Sequence, residues 1–222
     1  MNCRWLLPAT LVLVVLCSCS RTPSAIPLTP ADSIAIMEDN QRHRGEVEEF
    51  FRSDPNSPFL RDTTITFHDL NWFPINPSFC GHSILHRYDT PETVTVAGTK
   101  GELRRQLKYG YFTFVVPGDG GAPATITLNV YKFTPYDKQR YALYRNNLST
   151  WFTDETTGRE TYDVGRYIEL GEEDPDPAHV YTIDLNKAFN PYCAYSALYS
   201  CAIPRREDHL NMALRVGEMT YH

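Results

Sequence analysis

The pattern of apolar and polar residues changes from a helical period to an alternating one near Pro58. Between 30 and 52, apolar or long side chains recur three and four residues apart, which is typical of one face of an α-helix. Thr29 as a cap, Pro30 in the first turn and Asp32 near the positive end of the helix dipole mark its start. The pattern therefore predicts one N-terminal helix over 30–52. The stripe consists of Ile34, Met37, Gln41, Arg44, Val47, Phe50 and Phe51.

Beyond Pro58, short runs of alternating residues are separated by glycine, proline and other turn residues. The predicted strands are 64–68, 84–88, 93–96, 111–116, 125–133, 141–144, 166–170, 180–185 and 212–216. The Gly-Asp-Gly-Gly run at 118–121 predicts a turn between the two strongest of them. Because no helical pattern intervenes, the fold class is mainly β. We expect an antiparallel sandwich or barrel with one N-terminal helix and an irregular C-terminal segment.

The first residues carry a different pattern, an apolar run over 6–16 that follows Arg4. Its length suits the apolar region of a secretory signal, and it is shorter than the ~18 residues that a membrane-spanning helix needs. The run ends in Leu16-Cys17-Ser18-Cys19, which resembles the lipobox of bacterial lipoproteins. In that family the peptide is cut before the cysteine, which is then acylated, for example with palmitate. An ordinary signal peptide with an incidental cysteine is the alternative.

The lipobox resemblance implies a division of the chain into three parts. Residues 1–18 are the expected lipoprotein signal peptide, and Cys19 with the polar, proline-containing stretch to 29 is the expected lipidated tether. A single β-rich domain follows at 30–222. The partner implied is a membrane, held through the N-terminal acyl chains. The expected location is the cell envelope, facing the periplasm where the source has two membranes.

Charge and sequence motifs limit which further partners and reactions can be expected. With 21 Lys and Arg against 27 Asp and Glu, the net charge is −6, and no basic stripe exists to attract nucleic acid. We therefore expect no nucleic-acid partner. The sequence has no phosphate loop, no dinucleotide motif and no Gly-x-Ser-x-Gly elbow, so we expect no cofactor and no serine hydrolase chemistry.

Cysteines outside the cytoplasm tend to form disulfides. Of the six in the chain, Cys80, Cys193 and Cys201 remain for the folded domain. Cys193 and Cys201 are closest in sequence, so we expect a disulfide between them, which would leave Cys80 as a thiol. Pairing of Cys80 with either of the others is the rival.

Metal sites are not expected from the histidines. His82 and His86 are four apart, but on a strand four residues span ~13 Å, too far for two ligands of one zinc. A mixed site from Cys193, Cys201 and His209 is possible on ligand type alone. The acidic run at 169–176 lacks the spacing of a calcium loop and is interpreted as a solvated loop.

The C-terminal third contains the most distinctive motifs. They are Trp-Phe-Thr-Asp-Glu-Thr-Thr-Gly at 151–158, Thr-Tyr-Asp-Val-Gly-Arg-Tyr at 161–167, Asp-Leu-Asn-Lys-Ala-Phe-Asn-Pro-Tyr-Cys-Ala-Tyr at 184–195, Ser-Cys-Ala-Ile-Pro at 200–204 and Gly-Glu at 217–218. In this order and spacing they resemble domain-of-unknown-function family 1684, over about 41–218. The chain departs from the family pattern at Asp208, where we expect asparagine, and at Asn211, where we expect proline. The resemblance implies no activity.

These motifs supply a polar and aromatic set that can line a small-molecule pocket. The candidate ligand-binding residues are Tyr162, Arg166, Tyr167, Asp184, Asn186, Asn190, Tyr195 and Glu218. Arg166 offers a fork of donors to a carboxylate or phosphate, and the tyrosines offer flat faces with polar tips. The alternative is a buried network that holds the C-terminal segment on the sheet.

Three functions follow from this set. The first is an envelope protein that binds a small ligand or partner. The second is an envelope hydrolase with Asp184 or Glu218 as general base. The third is a purely structural interaction protein, which predicts an exposed apolar patch.

Overall fold

The computed structural model describes residues 28–222. The expected signal peptide, Cys19 and the tether up to residue 27 lie outside the described residues. Within 28–222, no helix combines the length and the apolar character needed to cross a membrane.

The N-terminal helix α1 covers Pro30–Ser53, as the periodicity predicts. A reciprocal cap fixes its first turn: Thr29 Oγ1 accepts from the Asp32 backbone N–H at 3.1 Å, and Asp32 Oδ2 accepts from the Thr29 N–H at 2.9 Å. At the other end, Phe51 packs with aromatic residues of the short helix α2, Pro58–Arg61, and of the C-terminal segment. The end of α1 is therefore held by burial of its aromatic side chains, whereas its first turns lie largely exposed.

Over residues 28–222, eight strands form two sheets. Their bounds are β1 Cys80–Ile84, β2 His86–Ala97, β3 Leu103–Pro117, β4 Pro123–Phe133, β5 Asn147–Asp154, β6 Arg166–Glu172, β7 Val180–Asp184 and β8 His209–Leu210. The main sheet has the order β2-β3-β4-β5-β6, entirely antiparallel, with the short β8 added parallel to β5. β1 and β7 form a separate antiparallel ribbon, in which Cys80 is opposite Asp184.

The principal core lies between one face of the main sheet and a cover made by the β1–β7 ribbon and the C-terminal segment. The sheet contributes alternate residues of β3 and β4, such as Phe112, Phe114 and Leu128. The cover contributes Ile183 and Leu214. The mainly β, antiparallel class with one N-terminal helix is confirmed. Closure into a barrel is not observed, because β2 and β6 end the sheet path and do not pair with each other in the described part of the chain.

The opposite face of the sheet is also covered by the C-terminal segment. Trp151 stacks on Tyr131 with ring centroids 4.6 Å apart, and Ala202 packs against this cluster. A bridge between Gly98 and Ala202 attaches the segment to the end of β2. The irregular C-terminal chain therefore wraps both faces of the sheet, which explains how it is ordered with little regular structure of its own.

Some predicted strands are wrong. Residues 141–144 belong to helix α3, Lys138–Tyr144, because Asp137 caps it by accepting from the Arg140 N–H at 3.0 Å. Residues 64–68 and 212–216 form no ladder. In the second of these, backbone carbonyls that a ladder would use accept hydrogen bonds from a buried arginine. Strand β5 was not predicted as a strand, although Trp151 and Phe152 lie in it.

Candidate functional site

Arg166 is the first residue of β6, and its side chain points into the core, where 1% of the residue is exposed. Its Nη2 donates to Asp154 Oδ2 at 2.7 Å and to the Leu214 carbonyl at 2.9 Å. Its Nη1 donates to the carbonyls of Val216 and Glu218. The guanidinium thus binds one carboxylate and three alternate carbonyls of the C-terminal segment.

The Arg166–Asp154 ion pair is completed by the turn that follows β5. Asp154 Oδ1 accepts from the backbone N–H of Thr156 at 2.7 Å and from its hydroxyl at 2.5 Å. Burial lowers the pKa of the Arg166 guanidinium, and the Asp154 carboxylate opposes that effect. Arg166 Nε is buried without a hydrogen-bond partner, but both terminal nitrogens of Arg166 and both oxygens of Asp154 are bound by protein groups. This geometry favours the structural network over a role for Arg166 in ligand binding.

Glu218 forms a second buried centre close by, with 1% of the residue exposed. Its carboxylate accepts from the Asn190 backbone N–H at 2.9 Å, the Asn190 amide at 2.8 Å and the Tyr195 hydroxyl at 2.5 Å. Burial raises the pKa of the Glu218 carboxyl to about 7, against the lowering effect of these donors. The structure therefore brings together three of the candidate residues, Glu218, Asn190 and Tyr195, in the interior.

Asp184 and Asn186 join β7 to the N-terminal helix. Asp184 Oδ1 accepts from the Asn186 N–H at 2.9 Å and its amide at 2.8 Å, and Oδ2 accepts from the Asn40 amide at 2.6 Å. Asn186 also exchanges hydrogen bonds with the backbone of Asn76. Unlike Arg166 and Glu218, Asp184 lines a surface cavity, although 9% of the residue is exposed.

That cavity is one part of a groove between the first turns of α1 and the β1–β7 ribbon. Two cavities of about 730 Å³ and 420 Å³ lie side by side, and Ala35, Ile36, Cys80 and Thr182 line both. We call this pair of cavities the α1 groove. The larger cavity is lined by Phe114 and Val116 of β3 and by two prolines, Pro117 and Pro123. Leu28, which precedes α1, also lines this cavity. The groove is in the size range of small-molecule sites.

Charged groups lie at the smaller end of the α1 groove. Lys187 Nζ donates to Asp39 Oδ2 at 2.5 Å, and this hydrogen bond lowers the pKa of the Asp39 carboxyl. Glu169 and Asp184 line the same cavity. At the junction of the two cavities, burial raises the pKa of the Cys80 thiol to about 12, so it is protonated near neutral pH. The groove thus combines an apolar floor with a polar, net acidic end.

The remaining candidates lie on the other side of the sheet, near two thiols. Tyr162 donates to the Cys193 carbonyl at 3.3 Å, and Tyr167 donates to the Ala202 carbonyl at 2.6 Å. Cys193 and Cys201 are neighbours, with the Cys193 N–H donating to Cys201 Sγ at 3.3 Å, but the structure has both as free thiols. The expected disulfide therefore stays a prediction.

The three histidines considered as possible metal ligands contact other side chains. His82 contacts Thr182 through Nδ1 at 3.2 Å, while His86 stacks on Tyr111. His209 contacts Thr153. Over residues 28–222, no group of three or more His, Cys, Asp and Glu side chains is placed to hold a metal ion.

The model of the family "Protein of unknown function (DUF1684)" matches residues 65–219. The chain belongs to this family. A solved structure, the solution NMR structure of the uncharacterized protein from gene locus rrnAC0354 of Haloarcula marismortui, is similar, with 27% sequence identity and a TM-score of 0.58. The similarity covers 86% of this chain and 98% of that one. No curated protein matches the chain.

The region matched by the DUF1684 model contains the buried networks but only part of the α1 groove. All eight candidate residues lie within 65–219, so the Arg166 and Glu218 networks belong to the family's matched region. The α1 wall of the groove, from Leu28 to Asp39, precedes that region. The buried networks therefore lie wholly within the matched region, whereas the groove also needs a helix outside the match.

Several important residues of this DUF1684 protein were missed from the sequence. The sequence indicates Asp154 only as part of the 151–158 motif, and Asn40 only as part of the predicted helix. Asp208, where asparagine was expected, is buried and accepts from Asn129 at 2.8 Å and from Tyr131 at 2.9 Å, and burial raises the pKa of its carboxyl. Asn40 lies on the helix face toward β7, and its contact with Asp184 has no local signal in the sequence.

Proposed function

We propose that this DUF1684 protein is a lipid-anchored protein of the cell envelope that binds a small, partly apolar ligand in the α1 groove. The observation that carries the binding function is the groove itself, because it joins an apolar floor to a few converging polar groups. Membrane attachment would come from acyl chains on Cys19, and the domain would face the periplasm where two membranes exist. A Cys193–Cys201 disulfide is consistent with that compartment.

The position of the groove supports a link between anchor and site. Leu28, at the groove's edge, is nine residues beyond the expected lipidated cysteine. An extended stretch of that length spans at most ~30 Å. The α1 groove would therefore be held within a few nanometres of the membrane surface, where apolar ligands partition. A ligand exchanging between membrane and protein would meet the groove first.

The hydrolase alternative has weaker support. A general base must reach a substrate proton directly or through one water. Glu218 accepts three hydrogen bonds from protein groups in the interior, and Asp184 accepts three at the groove wall. Each carboxylate would first have to leave its donors, so the geometry supports binding over hydrolysis.

The anchor is tested by replacing the expected acylation site. In Cys19→Ser, we expect the protein to move from the membrane fraction to the soluble fraction, and the acyl mass to be lost from the N-terminal peptide. Cys17→Ser is the matched control, because it removes a thiol within the expected signal peptide and should leave fractionation unchanged. Membrane retention of Cys19→Ser, or an unmodified Cys19 in the native protein, would contradict the anchor.

The groove is tested with N-phenyl-1-naphthylamine, a neutral apolar dye whose fluorescence rises on binding. We expect the dye to bind the wild type and Ala35→Trp to weaken binding at least tenfold, because an indole at position 35 fills the junction of the two cavities. The control is Ala31→Trp, which adds the same side chain to an exposed position on α1 outside the lining. Equal loss in both variants, or none in Ala35→Trp, would refute the groove.

A further inference from the structure

Cys193 and Cys201 form a thiol pair that the ligand site does not use. Cys201 Sγ accepts from the Cys193 N–H at 3.3 Å, so the two cysteines lie side by side. Cys193 lies in the 3-10 turn Tyr192–Ala194 and is partly exposed, whereas 9% of Cys201 is exposed. Cys193 is therefore the more exposed residue of the pair, and Cys201 the more buried one.

The surroundings hold this pair in place. Cys201 is fixed on two sides by Thr99, whose N–H donates to the Cys201 carbonyl at 3.0 Å and whose hydroxyl accepts from the Cys201 N–H at 3.1 Å. The Tyr162 hydroxyl lies 3.8 Å from Cys193 Sγ and can donate to it. A hydroxyl donor and a second thiol thus both face the Cys193 sulfur, an arrangement that stabilises a thiolate there.

We propose that Cys193 and Cys201 are a thiol–disulfide exchange site for small disulfides, with Cys193 as the attacking sulfur and Cys201 as the resolving sulfur. The Cys193 thiolate attacks one sulfur of a disulfide R–S–S–R, forms a mixed disulfide and releases RS⁻. The Cys201 sulfur then attacks Cys193 Sγ, and its proton goes to the released thiolate. The Cys193–SR bond breaks and releases a second RS⁻, which takes from solvent the proton that Cys193 lost when it ionised. The net reaction converts one dithiol and R–S–S–R to one protein disulfide and two R–SH.

The acidity of the two thiols agrees with this order. The hydrogen bond from Cys201 is the main cause that lowers the pKa of Cys193 to about 7. The pKa of Cys201 is raised by the same hydrogen bond and by burial. Near neutral pH, about half of Cys193 is then thiolate, and an attacking thiol works best when its pKa is near the ambient pH.

The third thiol provides an internal comparison. Cys80 lies in the α1 groove, and burial raises its pKa to about 12. Thiolate fraction and nucleophilicity together predict that Cys193 reacts with a disulfide more than about tenfold faster than Cys80 at pH 7.

The test uses the full chain and glutathione disulfide as the probe. In Cys201→Ser the resolving sulfur is absent, so a glutathione adduct should accumulate on Cys193. In Cys193→Ser, adduct formation at Cys201 should be slowed at least tenfold. The wild type and Cys80→Ser should both reach the Cys193–Cys201 disulfide, seen by peptide mass spectrometry after alkylation of the remaining thiols.

Three outcomes would overturn the proposal. The first is an adduct on Cys80 in Cys201→Ser that forms as fast as the one on Cys193, and the second is a stable adduct on Cys201 in Cys193→Ser that forms as fast as the wild type reacts with glutathione disulfide. The third is a wild-type disulfide that links Cys80 to Cys193 or to Cys201. Circular dichroism melting of each variant shows whether it is folded. Since no dye or membrane is involved, failure here is independent of the anchor and of the α1 groove.

Discussion

Arg166→Ala is expected to lose about 3–5 kcal/mol of unfolding free energy, the range measured when one partner of a buried ion pair is removed. The loss arises because the Asp154 carboxylate stays buried without its cation, and three carbonyls of the C-terminal segment lose their donor. Single domains are stable by only about 5–15 kcal/mol, so the variant should be close to unfolding. Urea denaturation followed by tryptophan fluorescence measures the change.

Two controls separate this loss from a general effect of removing arginine. Arg140→Ala breaks the exposed pair with Asp137 on α3 and should cost less than about 1 kcal/mol. A double-mutant cycle between Arg166 and Asp154 should show strong coupling, because each single variant leaves the other charge unpaired. If Arg166→Ala keeps wild-type stability but no longer binds a ligand, the binding role that the motif first indicated is correct and the structural role is wrong.

The sequence did not distinguish a structural role of Arg166 from a ligand-binding one, because the contacts of Arg166 are with residues distant in the chain. Arg166 meets Asp154 across the antiparallel pair β5–β6 and meets Leu214, 48 residues later in the chain. The sequence around an arginine at the start of a strand does not show whether its side chain faces solvent or the core. Only the path of the C-terminal segment, which carries little periodic signal, decides the burial.

Local elements were predictable for the opposite reason. The cap at Thr29 and Asp32 acts within four residues and places the start of α1, and strict alternation over 111–116 and 125–133 identifies β3 and β4. Helix α3 was mistaken for a strand because a tyrosine-rich run of four residues suits either period, and its Asp137 cap was overlooked. The α1 groove depends on Asn40 reaching Asp184, 144 residues away, which no local pattern encodes.

The free energy of unfolding should fall as the pH rises from 4.5 to about 7, the range between the ordinary pKa of Glu218 and its pKa in the folded protein. Its pKa is raised from 4.5 to about 7 by burial, so the folded protein holds this proton more tightly than the unfolded chain does. Its contribution is therefore fully present below pH 4.5 and is lost between pH 4.5 and 7, by roughly 3 kcal/mol. This is opposite to the usual behaviour of a paired surface carboxylate, whose contribution is lost on acidification.

The measurement is urea denaturation of the wild type and of Glu218→Gln at intervals from pH 4.5 to 8. Asp208, whose pKa is also raised by burial, adds to the slope of both proteins, so the difference between the two curves isolates Glu218. Glu46→Gln removes a carboxyl from the exposed face of α1, and we expect it to keep the wild-type slope. Parallel curves for Glu218→Gln and the wild type would mean that Glu218 is ionised in the folded protein throughout. The three donors from Asn190 and Tyr195 would then outweigh the cost of burial, and the second centre would be a charged one, like that of Arg166 and Asp154.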